Sequence, residues 1–290
     1  MIGLVAAQAL PADMPAFMRE AAAQLSYLNP EPDRWRDPIE SHLDPALDAA
    51  QAPEHYVDLE RVTAAMMQAP TRDVYLAEVH AEHEKAADVG LLPFAIVENV
   101  QRLRIEFRLW RAETDPTVRH YIEQAAIYDA GVLGHYVADG SNPHHTTVNY
   151  NGWVGDNPHH YTTDKSFHYR FEALYVQTHV KPADFAAQVA ATKPRVYGDL
   201  RDAAWQYIEA THTYLEPLYR LEAEAPFNDQ TQAPDHLKFT LDRLADGAQM
   251  LRDLWYTAWI TSKVTPEQQE FLKQLQDKYK QPPAPAKPAG

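Results

Sequence analysis

The segment His135-Tyr-Val-Ala-Asp139-Gly-Ser-Asn-Pro-His144-His145 gathers three imidazoles and a carboxylate into one short block. His135 and Asp139 are four apart in a helical stretch, so both lie on one face and can meet a single ion. His145 follows the break at Pro143, where the chain can turn back toward the same cleft. His168 and Glu172 repeat the spacing of an imidazole and a carboxylate four residues apart. Two such pairs and one further imidazole make a nitrogen and oxygen donor set for a divalent cation. The chain has no cysteine, so no thiolate competes, and this donor set suits Zn²⁺ ahead of Mn²⁺ or Fe²⁺. A sequence with 14 histidines contains isolated pairs by chance, and His80–Glu84 reads as one that faces solvent. The weight therefore lies on the combination.

The elements that must position these residues are helices. Glycine is scarce (10 of 290 residues), Ala, Leu, Glu and Gln are plentiful, and no stretch alternates with period two. Proline recurs at or just before first turns, where its missing N–H costs nothing. The pattern predicts helices from Pro11 through Leu25 to near Pro30, over 73–87 with Val74, Ala77 and Ala81 as apolar positions, and over 92–112. Further helices are expected over 117–138, 164–178, 194–223, 234–261 and 266–280. The expectation is an all-α fold, one helical domain over residues 1–280, with a disordered Pro/Ala-rich tail at 281–290. Two segments break the helical pattern, 28–54 and 140–163, and polar, aromatic loops of this kind are where sites are built.

Composition narrows the function. The 26 Lys and Arg against 41 Asp and Glu give a net charge of −15, which argues against a broad basic surface tracking a nucleic-acid backbone. It does not exclude a single phosphate held by metal ions. The absence of cysteine removes disulfides, iron–sulfur clusters and cysteine nucleophiles. No apolar run reaches the ~20 residues of a membrane span. Met1 to Leu10 lacks the cationic start and cleavage site of a signal peptide. Trp205, Trp255 and Trp259 read as core residues rather than a lipid anchor.

The block His135 to His145 resembles the H-Y-x-x-D-x-x-x-P-x-H signature of the zinc-dependent phospholipase C and single-strand-specific zinc nuclease superfamily. The resemblance runs from about residue 2 to about residue 180. It implies an all-α fold with a zinc cluster in a cleft and hydrolysis of phosphate esters. His168 and Glu172 match the family's H-x-x-x-E/D element. Asp33, in Pro32-Asp33-Arg34-Trp35, and His55, in His55-Tyr56-Val57-Asp58, match its upstream Asp and His. By this resemblance Asp33, His55, His135 and Asp139 hold one zinc, and His145, His168 and Glu172 hold a second. The family offset selects His145 over His144. Asp139 would bridge to a third zinc, whose remaining ligands in the family are an N-terminal Trp and a nearby His. The start Met1-Ile-Gly-Leu-Val-Ala-Ala resembles the helix after that element, so a third site would need an N-terminal segment not present in this sequence. Either such a segment precedes Met1 or the protein is a two-metal variant. Secretion or a periplasmic location also follows from the resemblance alone.

The expected chemistry is attack of metal-activated water on phosphorus. Asp33 is the candidate catalytic residue, orienting or deprotonating that water, with metal binding alone as the alternative. Asp58 is a candidate to orient an imidazole, and His159 and His160 read as exposed loop histidines. Glu172 as the last ligand is similar to the phospholipase branch, and the acidic charge fits a phospholipid headgroup better than a polynucleotide. Tyr56, Tyr150, Trp153 and Tyr161 are candidate substrate-binding residues, able to cage a choline-type cation or to stack a base. Three readings stand: a phospholipase C-like phosphodiesterase, a single-strand nuclease or nucleotidase on the same core, and a non-catalytic metal-binding helical domain. Oligomeric state and membrane docking are not legible.

Overall fold

Asp115 and Pro116 fix the turn on which the fold is built. The Asp115 carboxylate accepts hydrogen bonds from the backbone N–H of Thr117 and Val118, and Pro116 occupies the first helical position. This cap separates the helix Leu92–Ala112 from Pro116–Ser141, and a short turn lays the two side by side. The long helix Pro234–Thr261 packs across both, joined by Ile2–Gln8, Ala22–Leu28 and Leu200–His212. The computed structural model describes residues 1–280; the expected tail at 281–290 lies outside them. The all-α fold class holds: among the described residues the only β pairings are isolated bridges, Val57 with Gly90 and Tyr150 with Gly152.

The helix Pro116–Ser141 changes character along its length. Its first turns are half exposed, whereas nearly every residue from Ala130 to Ser141 is buried. That end is a central rod, and it carries His135 and Asp139. Two of its glycines let the chain of Ala22–Leu28 cross in contact: a Cβ on Gly131 would stand 2.3 Å from Leu28 Cβ, and one on Gly134 only 2.0 Å from Asn29 Nδ2. Asn29 seals the crossing by donating to the Gly131 carbonyl and accepting from the Gly3 N–H. The close approach delivers Asp33, a few residues further on, to the flank of His135.

Several boundaries differ from expectation. The first predicted helix breaks at Ala21 into Ala16–Glu20 and Ala22–Leu28. The segment 28–54 is a string of short helices rather than a loop. Asp37-Pro38 and Asp44-Pro45 are starts, each Asp accepting backbone N–H groups at the N-cap. The helix Arg72–Ala81 buries Tyr75 and Val79 and exposes Val74, Ala77 and Ala81, because the aromatic ring takes the core position. The predicted 194–223 helix starts late, at an Asp199 cap, and breaks after His212. Pro217 has no N–H to give the Thr213 carbonyl. Trp205, Trp255 and Trp259 lie in the main core. No helix among the described residues is long and apolar enough to cross a membrane.

Candidate metal centre

Four side chains from three parts of the chain converge at the buried end of Pro116–Ser141. His55 Nδ1 lies 2.9 Å from His135 Nε2, 3.2 Å from Asp139 Oδ2 and 3.9 Å from Asp33 Oδ1. His135 Nε2 lies 3.3 Å from Asp139 Oδ2 and 3.7 Å from Asp33 Oδ1. His55, His135 and Asp139 are buried, whereas the Asp33 side chain is 60% exposed and forms the open side. His55 is placed by a pinned segment. Val57 N–H donates to the His145 carbonyl, Asp58 N–H to Val89 and Leu92 N–H to Tyr56. Gly90, at φ 92°, passes so close that a Cβ would meet the Tyr56 carbonyl at 2.0 Å.

A second group forms alongside. His145 Nε2 is 3.0 Å from Glu172 Oε2, His168 Nε2 is 2.7 Å from the same oxygen, and the two imidazole nitrogens are 3.1 Å apart. His145 Nδ1–H donates to the His55 carbonyl at 2.6 Å, which fixes the ring so that Nε2 faces the group. Glu172 sits in a π-helical stretch, Arg170–Tyr175, inserted between Phe167–Tyr169 and Val176–His179. Such widened turns are uncommon and concentrate at functional sites. Arg170 anchors this stretch from beneath, through Glu222 at 2.6 Å, the Phe227 carbonyl and Asp164.

Both groups fit a divalent cation on their donor chemistry. Around His55 and His135, the carboxylate oxygens of Asp33 and Asp139 each approach the same two imidazole nitrogens, more acceptors than ring protons can serve. Donors held ~2.0 Å from a tetrahedral ion stand ~3.3 Å apart, and the separations of 2.9 to 3.9 Å straddle that value. Asp33, His55 and His135 form one set able to hold a metal ion, and His145, His168 and Glu172 another.

The electrostatics of the metal-free site follow from the same crowding. Burial works against the Asp139 carboxylate, but His135, His145 and His55 outweigh it and hold its pKa below the ordinary range. Burial likewise opposes ionised Glu172, yet hydrogen bonds from His145 and His168 hold it well below. For His145 burial disfavours the charge, while Asp139 and Glu172 stabilise it more strongly and raise the pKa to about 10.

Two cavities border these groups. One, of about 350 Å³, is lined by His55, His145 and His168 together with Tyr56, Asp58 and Tyr150. The other, of about 450 Å³, is lined by Asp33, His135, Asp139 and Glu172, and by residues of Pro234–Thr261. Met1 and Ile2 also border the second. Tyr56 gives its hydroxyl to the Ala87 carbonyl and keeps its ring at the first cavity; Tyr150 is half exposed there. Trp153 and Tyr161 are not brought to either cavity. They pack with Tyr219, Phe167 and Phe227 in a second apolar cluster, where ring-on-ring burial outcompetes exposure. Asp58 makes no contact with the His55 ring nitrogen facing the group; burial and Glu60 raise its pKa to about 7.

The other histidines stand outside both donor groups, although His144 also lines the first cavity. His144 is buried between Phe167, Phe171 and Tyr219 with both ring nitrogens unpartnered, and burial with His168 and His145 nearby pushes its pKa well down. His159 and His160 are exposed in their loop. His80 is exposed, and Glu84 pairs with Arg61 instead. Asn142, not singled out by spacing, donates to Glu172 Oε2 at 2.7 Å and accepts from His144 N–H. Its position between Asp139 and Pro143 was the available signal. Compared with known proteins, the chain matches no family model, no curated sequence and no solved structure.

Proposed function

We propose that this protein is a zinc-dependent hydrolase of phosphate esters, with a phospholipid headgroup as the favoured substrate. The observation that supports this reading is the juxtaposition of two His-and-carboxylate groups, seven donor residues in all, bordered by two cavities. Asp33, His55, His135 and Asp139 would hold one ion, and His145, His168 and Glu172 the second. Zinc in such sites supplies Lewis acidity toward phosphate oxygens and makes hydroxide available near neutral pH.

The chain's own residues divide the remaining work. Asp33 is the one carboxylate of the first group that solvent reaches, so its free oxygen is placed to orient water or accept its proton. Asn142 fixes Glu172, and the His55 carbonyl fixes His145, so the donors need little reorganisation. Tyr56 and Tyr150 offer ring surface to a bound group, and Asp58 adds a carboxyl in the same cavity, a combination suited to a quaternary ammonium headgroup.

The test pairs metal analysis with product analysis. Elemental analysis should find about two zinc ions per chain, falling in His135→Ala and in His168→Ala. Release of phosphocholine from phosphatidylcholine vesicles is the expected product. Release of nucleotides from single-stranded DNA, without phosphocholine, would move the assignment to a nuclease on the same residues. A chain that retains less than one zinc and hydrolyses neither substrate would refute the enzyme reading.

A further inference from the structure

We propose that a third cavity, between the start of Arg72–Ala81, the helix Leu92–Ala112 and the start of Leu200–His212, binds a small multivalent oxyanion of the phosphate class. The cavity measures about 510 Å³, a size usual for small-molecule sites, and none of the candidate metal ligands lines it. The proposal therefore stands apart from the metal-dependent reading above. Arg72, Arg104 and Arg201 border the cavity, with Glu98 and Asp199 as its acids. Both acids are already engaged. Glu98 gives its two oxygens to Arg72, at 2.9 Å each, and Glu54 takes a third guanidinium nitrogen at 2.6 Å. The Asp199 carboxylate caps its helix, accepting from the backbone N–H of Arg201 and Asp202.

Arg104 and Arg201 are half-buried, and neither side chain has a hydrogen bond, ion pair or ring contact among the described residues. That sets them apart from the other half-buried arginines. Arg36, Arg72 and Arg170 bond carboxylates, Arg19 and Arg111 bond carbonyls, and Arg119 lies over the Trp110 ring. The one remaining, Arg108, is likewise without a partner and stands one turn beyond Arg104 on the same helix. The three unpartnered guanidinium groups of this class thus concentrate at one place. Burial first, and then the like charge of Arg108, press the Arg104 pKa down. At Arg72 burial acts the same way, but the bonds from Glu98 and Glu54 outweigh it and raise the pKa.

Acids are not scarce in a chain with 41 Asp and Glu against 26 Lys and Arg. Glu106, on the same helix, stands near Asp129 instead, and burial with that like charge raises its own pKa. Partly desolvated positive charge without a counter-charge is costly, and an anion in the cavity would relieve it. Guanidinium forks match phosphate oxygens, with the bonds strengthened by charge on both sides. Two unneutralised forks, with Arg108 close behind, favour a ligand carrying more than one negative charge. The positive charge is local within a chain of net charge −15, which fits a small molecule rather than a polynucleotide.

The experiment is calorimetric titration of pyrophosphate into the full chain and its variants, with circular dichroism and melting temperature recorded for each. Arg104→Gln and Arg201→Gln should each weaken binding about tenfold or more. Arg102→Gln, an exposed arginine on the same helix outside the cavity, should leave the affinity within about twofold of wild type. Without pyrophosphate, Arg104→Gln should melt no lower than wild type, because it has no bond to lose and sheds a repulsion with Arg108. The double variant His135→Ala, His168→Ala should bind pyrophosphate as wild type does, which separates this cavity from the metal centre. Wild-type protein that binds no pyrophosphate would overturn the proposal. So would binding that survives in Arg104→Gln and Arg201→Gln but is lost in the histidine double variant, since the anion would then sit on metal ions. A lower melting temperature in Arg104→Gln with its pyrophosphate affinity retained would make the arginine a packing residue and overturn it as well.

Discussion

Adding zinc to the metal-free protein should stabilise it by an amount that the two donor groups make calculable. An ion that binds only the folded chain contributes about 2.7 kcal/mol when its free concentration is 100 times the dissociation constant. Two sites filled to that extent contribute about 5 kcal/mol, and for a domain of this size 1 kcal/mol moves the melting temperature by ~2–4 °C. The expected rise is therefore about 10–20 °C. His135→Ala removes the donor that faces His55 at 2.9 Å and should abolish roughly half of it; His168→Ala should abolish the other half, and the double variant all of it. A proton balance accompanies the stabilisation. His145 has its pKa raised to about 10, so at pH 8 its Nε2, 3.0 Å from Glu172, carries a proton that a metal ion must displace. Zinc binding at pH 8 should release about one proton from this ring, and the affinity should increase with pH. Without metal the sign reverses: the raised pKa stabilises the fold below the unfolded value of ~6.5, and that contribution is lost as the pH climbs toward about 10. Scanning calorimetry with and without chelator measures the first effect, and titration in buffers of different ionisation heat measures the second. An equal temperature rise in the double variant, or a binding enthalpy indifferent to the buffer, would refute the reasoning.

Three further outcomes are expected. Arg170→Met strips Glu222, a buried carboxylate, of its partner at 2.6 Å and should cost about 3 kcal/mol in denaturant unfolding, with weaker zinc retention at His168 and Glu172; a loss under ~1 kcal/mol would show the anchor to be idle. The Asp58 carboxyl, raised to about 7 by burial and Glu60, binds a proton in the folded chain that the unfolded chain has already lost above ~4. Stability of the metal-free protein should accordingly fall by about 2–4 kcal/mol between pH 4 and pH 7, and Asp58→Asn should flatten that slope in urea titrations at pH 5 and pH 8. Tyr161→Ala should cost about 3 kcal/mol of stability without changing KM, whereas Tyr150→Ala, at an exposed ring, should raise KM with less than ~0.5 kcal/mol lost.

Which parts of this molecule the sequence carries openly depends on whether the signal is local. The helices Leu92–Ala112 and Pro234–Thr261 match their predicted spans because each has a proline in its first turn that no interior position would accept. The same reasoning failed between residues 28 and 54. That segment breaks the long helical period, although its Asp-Pro pairs are N-cap and first-turn residues of very short helices. Period alone could not settle the face of Arg72–Ala81 either: alanines mark a helix but do not claim the core against Tyr75. Spacing pairs His135 with Asp139 and His168 with Glu172 because four residues is one helical turn, whereas Asp33 and His55 enter by the family resemblance alone. It could not find the π-helical stretch that carries Glu172, since that is a consequence of tertiary packing. Trp153 and Tyr161 looked like cavity residues from their loop, and only the position of Tyr219 shows that they belong to a second core.

The arrangement also explains why so much rigidity surrounds so few residues. Left without an ion, His55 and His135 carry too few ring protons to serve each other and the carboxylates of Asp33 and Asp139, which lie 2.9 to 3.9 Å from their ring nitrogens. A local conflict of this kind survives where the surrounding structure overrides it, and such conflicts mark function. Here the override is identifiable. Gly131 and Gly134 admit the Leu28 and Asn29 side chains at close contact, Gly90 pins the His55 segment, and the Arg170–Glu222 pair fixes the second group from below. Loosening any one of them should move a donor by more than the few tenths of an ångström that metal coordination tolerates. Gly131→Ala therefore tests the logic at a position that is not a ligand and adjoins none: its Cβ would meet Leu28 Cβ at 2.3 Å, displacing the chain that leads to Asp33. Zinc retained at full stoichiometry in that variant would mean that the crossing serves stability alone, and that Asp33 reaches the first group by its own flexibility.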